Sequence, residues 1–75
     1  MKIEEFVEKF AAEFDDTPAE SFTADTNYKD LEEWGSLTAL SIISMIDEEY
    51  DKSITGADIR ECETIRDLYN LVESM

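Results

Sequence analysis

The sequence predicts an all-α fold, a four-helix bundle of three main helices plus one short helix, with a long loop between helices one and two. Three observations predict it. Apolar residues recur at helical spacing in separated segments, no segment of useful length alternates apolar and polar residues as a half-buried strand does, and helix-capping residues stand where periodic segments begin. The 75 residues are expected to make a single domain, 1–75. A chain this short buries only about 60% of the surface its unfolded form exposes and cannot be divided into two cores.

Helix one is predicted over Lys2 to Phe14, where Ile3, Phe6, Val7, Phe10, Ala11 and Phe14 form one apolar stripe. Asp15 and Asp16 close it. Thr17-Pro18-Ala19-Glu20 then offers a capping threonine, proline at the first helical position and glutamate three residues after the cap, which predicts a short helical turn. From Ser21 to Gly35 no period is sustained. Isolated Phe22, Tyr28, Leu31 and Trp34 suggest a long connection pinned to the core at intervals, and connections of this length are usually functional or mobile.

Helix two begins at Ser36, a residue type that serves as N-cap, directly after Gly35, and runs through the most apolar stretch of the chain to Tyr50. Asp51-Lys52-Ser53 is a turn, and Ile54-Thr55-Gly56 leads into a short helix, Ala57 to Glu61. Thr64 with Asp67 three residues on forms a capping arrangement for a final helix carrying Ile65, Leu68, Tyr69 and Val72. Antiparallel packing around Phe6, Phe10, Ile43, Ile46, Leu68 and Val72 is the expected core.

The composition excludes several kinds of function. There is no His, the single Cys62 has no disulfide partner within the chain, and no serine stands beside an evident base. The parts for nucleophilic catalysis are therefore missing, and no enzyme activity is expected. Asp25-Thr26-Asn27 lacks the glycine and terminal glutamate of a calcium loop, so no metal site is expected. Cys62 reads as a small semi-buried side chain. The charged N-terminus is unlike a signal peptide, and no apolar run approaches the ~20 residues of a membrane span. The expectation is a soluble, cytoplasmic monomer.

Twenty Asp and Glu against six Lys and Arg give a formal charge of -14. Such a chain repels phosphate backbones and anionic lipid, which argues against nucleic acid and membrane partners and favours a basic protein surface. The charge is also localised. Asp30, Glu32, Glu33, Asp47, Glu48, Glu49 and Asp51 follow one another with no Lys or Arg between them. Winding helix two at about 100° per residue from Leu37 places Ala39, Ile42, Ile43, Ile46 and Tyr50 between about 140° and 240°, a core stripe. Leu37 and Met45 fall near 0° and about 80° on the same wheel, among Thr38, Ser41, Ser44 and Glu48. An outward face of Leu37, Met45, Asp47 and Glu48 is thus the candidate partner surface.

The stretch Asp30-Leu31-Glu32-Glu33-Trp34-Gly35-Ser36-Leu37-Thr38-Ala39-Leu40 resembles the acyl carrier proteins, whose signature is a serine opening an acidic second helix and followed by leucine. The likeness continues through Ile42-Ile43-Ser44-Met45-Ile46-Asp47-Glu48-Glu49-Tyr50, Ser53-Ile54-Thr55 and Thr64-Ile65-Arg66-Asp67-Leu68. The resemblance implies a four-helix bundle carrying 4'-phosphopantetheine on Ser36. A separate phosphopantetheinyl transferase would supply the base and metal, and acyl-processing enzymes with basic docking surfaces would be the other partners. It also implies fatty acid, polyketide or related biosynthesis, and a cavity that can shelter an acyl chain. One departure is Gly35, where the family places Asp. Glu32 and Glu33 are the nearby carboxylates that could compensate in part. The competing reading is an unmodified acidic helical adaptor that binds a basic partner through the same helix.

Overall fold

The structure, a computed structural model, describes residues 2–75. Four helices follow in order: α1 (Ile3–Ala11), α2 (Ser36–Tyr50), α3 (Gly56–Glu61) and α4 (Ile65–Glu73). The three main helices and the short one are those the periodicity predicts. α1 packs against α2 and α4, and α2 packs against α3. None of the described helices is long and apolar enough to cross a membrane.

α1 stops at Ala11, short of the expected Phe14. Beyond it, tighter bonds take over, Glu13 N–H to Phe10 at 3.2 Å and Phe14 N–H to Ala11 at 3.0 Å. This tightening turns the buried Phe14 ring onto Phe22, with centroids 4.9 Å apart. The short helical turn forms at Ala19–Ser21, preceded by Pro18, but without a side-chain cap. Thr17 was expected to supply it. Its hydroxyl is instead committed to Glu33, because that carboxylate lies within 2.6 Å of it.

The long connection is tied down rather than loose. Phe22 and Tyr28 are buried, and a second single turn, Tyr28–Asp30, is capped by the Asn27 side chain accepting from the Lys29 N–H. Backbone bonds join the connection to the start of α4. Arg66 N–H donates to Ala24 at 2.8 Å and Ile65 N–H to Thr26 at 3.1 Å. An isolated antiparallel bridge pairs Asn27 with Thr64. These bonds satisfy amides at the head of α4 that a free helix end leaves to water.

α2 keeps its expected bounds but not its expected cap. Gly35 is the N-cap, in extended conformation at φ -175°, and Ser36 is the first helical residue. At the other end Asp51 takes the left-handed conformation (φ 55°, ψ 41°) that halts the helix. α3 and α4 both start with reciprocal capping, Thr55 with Asp58 and Thr64 with Asp67. Only the second pair was anticipated, and the first lets α3 begin one residue early, at Gly56.

Of the expected core residues, Phe6, Phe10, Ile46, Leu68 and Val72 are fully buried. Ile43 lies half-buried at the margin and packs on the core. Ile42, Ile54, Ile59, Ile65 and Tyr28 are among the other buried residues of the interior. Capping at α4 is a separable contribution to this stability. Thr64→Ala removes the hydroxyl that accepts from the Asp67 N–H at 3.1 Å. It is expected to cost about 0.5–2 kcal/mol in urea unfolding, the usual cost of losing such a cap; an unchanged midpoint would show that the backbone ties to Ala24 and Thr26 hold the helix end alone.

Candidate functional site at the head of helix α2

The segment that delivers Ser36 is fixed from two sides. Trp34 N–H donates to Leu31 at 3.0 Å, and the Trp34 ring lies against Tyr28, Phe10 and Phe14 with centroids 4.7, 6.5 and 6.5 Å apart. Glu33 forms the other anchor. Its carboxylate accepts from the N–H groups of Asp15 (3.1 Å), Asp16 (2.9 Å) and Thr17 (2.6 Å) and from the Thr17 hydroxyl (2.6 Å). Its own carbonyl accepts from the Thr38 hydroxyl at 2.8 Å. One residue therefore links the end of α1 to the first turn of α2.

The Thr17 hydroxyl, followed by the backbone amides, holds the Glu33 carboxyl below the usual carboxylate range. That carboxylate is turned to the end of α1 and fully engaged there, which leaves exposed Glu32 as the nearby free carboxylate. Gly35 is not required by conformation. Its φ is extended, and a Cβ at this position meets nothing within 4 Å.

Ser36 is exposed. Its hydroxyl has no hydrogen-bond partner among the described residues. The first backbone bond of α2 runs from Ala39 N–H to Gly35 at 2.9 Å, so the N–H groups of Ser36, Leu37 and Thr38 precede the helical ladder and point out of the helix end. That end carries partial positive charge and suits an anionic substituent on the serine. An exposed, unengaged hydroxyl at such a position fits a phosphodiester-linked arm.

Along α2, Leu37 is 82% exposed and Asp47 and Glu48 are exposed, as expected. Met45 corrects the expectation: it is only 5% exposed. The inward arc of α2 is wider than the wheel suggests, and Glu13, in the turn that follows α1, flanks the same groove as Met45. Met45 is the floor of that groove, with Leu37, Leu40, Glu48 and Glu49 along its sides. Leu40, 59% exposed, was missed. Its wheel position falls between the two faces assigned to α2 and outside the core stripe, on the side of Leu37, and that angle is the signal the sequence offers. At the far end Lys9 pairs with Glu49 at 2.9 Å, so Glu13 and Glu48 are the carboxylates of this rim without an ion-pair partner among the described residues.

Other candidates offer no chemistry. No group of acidic, His or Cys side chains among the described residues could hold a metal ion. Cys62 is half-buried, as expected, and burial, with Asp67 and Asp58 nearby, raises its thiol pKa and keeps it protonated.

The exposed Ser36 opens the longest of the described helices of an acidic four-helix bundle. A family model described as the phosphopantetheine attachment site matches residues 5–72, from the first turn of α1 to the last of α4, and the chain belongs to this family of phosphopantetheine-carrying proteins. Its members hold 4'-phosphopantetheine covalently on a serine and are not themselves catalytic. No curated protein and no solved structure matches the chain.

Two measurements test this site. Met45→Ala is expected to lower unfolding free energy by about 2–5 kcal/mol, as emptying a core position does, whereas Leu37→Ala stays within about 0.5 kcal/mol. Equal costs in denaturant titrations would contradict the division of the helix into a floor and an open side. For Glu33 the sign follows from its lowered folded-state pKa. It contributes stability above its unfolded pKa and loses it as pH falls through the folded value. The melting temperature gap between the native protein and Glu33→Gln is therefore expected to be widest near neutral pH and to close as pH falls below the ordinary carboxylate range. A gap independent of pH would show that the charge of Glu33 does not set its contribution.

Proposed function

We propose that Ser36 is the attachment residue and that residues 1–75 act as one acyl-carrier domain in fatty acid, polyketide or related biosynthesis. The observation that carries the assignment is the position of Ser36: exposed, with an unengaged hydroxyl, at the first residue of α2 and at the end of an anchored connection. Ser41 and Ser44 lie inside the helix, where their amides belong to the ladder.

The chain itself provides the nucleophile and its presentation. Ser36 offers Oγ to the inner phosphate of coenzyme A, forming a phosphodiester as the bond to the outer phosphate breaks and adenosine 3',5'-bisphosphate leaves; the serine proton passes to a base of the transferase, since no base of this chain is placed to take it. Glu33 and Trp34 keep the approach to that oxygen from folding back onto the bundle. The first-turn amides favour the negative charge of the resulting phosphodiester. When bound, the arm supplies a terminal thiol that holds acyl groups as thioesters. Leu37, Leu40 and the Met45 floor, with Asp47 and Glu48 beside them, then form the surface that partner enzymes meet with basic rims, since charges at an interface edge act mainly on encounter.

Incubation with coenzyme A and a broad-specificity phosphopantetheinyl transferase is expected to add one phosphopantetheine by intact mass. Ser36→Ala abolishes the addition, while Ser41→Ala and Ser44→Ala retain it; a label mapped to another serine ends the assignment. In the same assay Gly35→Asp is expected to be modified faster. The site accommodates the side chain without strain, so equal rates would show that the missing carboxylate is not used by the transferase.

A further inference from the structure

An alkyl chain on a flexible arm in water is driven toward any apolar interior it can reach. The interior nearest Ser36 is filled by rings that hold one another in place. Trp34, two residues before the serine, lies on Tyr28 at 4.7 Å and on Phe10 at 6.5 Å. Phe10 packs in turn on Phe14 at 5.6 Å and Phe22 at 6.2 Å, and those two meet at 4.9 Å.

Tyr28 is the least free of them. Its ring is fully buried, and its hydroxyl donates to the carbonyls of Ile59 at 2.6 Å and Cys62 at 2.9 Å, at the end of α3. Burial raises its pKa above the usual tyrosine range and keeps that hydroxyl protonated, so it remains a donor. The neighbouring Lys29 ammonium donates to the Arg60 carbonyl on the same helix end. Tyr28 thus forms a bar from the connection that delivers Ser36 to the last turn of α3. A chain entering between them has to displace the ring. Displacement strips both carbonyls of this donor and disturbs the packing of Trp34 and Phe10. Flexible aliphatic side chains deform to admit a guest, whereas mutually packed rings bonded to a helix end do not.

On the reading that Ser36 carries the arm, we infer that Tyr28 and its ring cluster bar the bundle interior to acyl chains, and that the cargo is a short or polar acyl group that stays in water. A long saturated chain without shelter keeps the full hydration cost of its methylenes. Hydroxyacyl or aminoacyl groups do not.

The test avoids the transferase, so that failed enzymatic loading counts against the carrier reading alone. In a Ser36→Cys, Cys62→Ala background, a thiol-reactive pantetheine analogue ending in acetyl or decanoyl is tethered at position 36. Methyl spectra of Ile42, Ile46, Ile54, Ile59 and Leu68 and the melting temperature are then compared for the two arms. Identical interior methyl positions and identical melting temperatures are expected. Interior shifts with decanoyl, or a higher melting temperature, would overturn the inference, because a guest that enters the folded core stabilises it. Adding Tyr28→Leu, which opens the bar and keeps apolar volume, is expected to let decanoyl shift those methyls. If the folded variant admits no chain, Tyr28 is not the bar. The comparison with Tyr28 intact decides the proposal by itself if that variant does not fold.

Discussion

Phe10 is the contact on which the rest of this molecule depends. Its fully buried ring meets Phe6 from its own helix, Phe14 from the turn that follows, and Phe22, Tyr28 and Trp34 from the long connection. A small chain without a disulfide has little apolar area with which to order residues 12–35 between α1 and α2. Each ordered residue carries a conformational entropy cost, and it is met here by hanging the connection on one aromatic hub. Large rings do this well, because each buries more apolar surface per ordered residue than an aliphatic side chain. With the hub in place, Trp34 sits at a defined point and α2 starts two residues later, with Ser36 outward.

Polar bonds finish what the rings begin. Glu33 accepts from amides of the turn that follows α1, while Tyr28 and Lys29 donate to carbonyls at the end of α3. Helix ends are costly where their groups go unpaired, and in this bundle the long connection is what pairs them. The connection therefore pairs groups at the end of α3 and at the head of α4, and leads directly to the exposed Ser36.

The charge works at a different level. At -14 the protein repels itself, yet few of its carboxylates are held in ion pairs, with Lys9 to Glu49 and Arg66 to Asp25 the exposed examples. Such pairs contribute little to stability. On the groove of α2, Glu13 and Glu48 stand beside Leu37 and Leu40 with no ion-pair partner among the described residues, so the acidic field there is left open to solvent.

The sequence by itself determined the helix count, the bounds of α2, the capping of α4 by Thr64 and Asp67, and most of the core stripe. These follow from local periodicity and from cap chemistry confined to neighbouring residues. The position of Ser36 behind a long connection was legible for the same reason, and with it the family. Tertiary structure alone decided the rest. A helical wheel places Met45 outward because it knows the angle of a side chain but not which other segments of the chain pack there, and in the fold Met45 is buried. Thr17 reads locally as a cap, since nothing local shows that it and Glu33, so far apart in sequence, meet and satisfy one another. Tyr28 looked like one pin among four, and its hydroxyl bonds to the end of α3 join parts of the chain that only folding brings together. Contacts between distant segments depend on how the whole core fills its space, and a one-dimensional pattern does not carry that information.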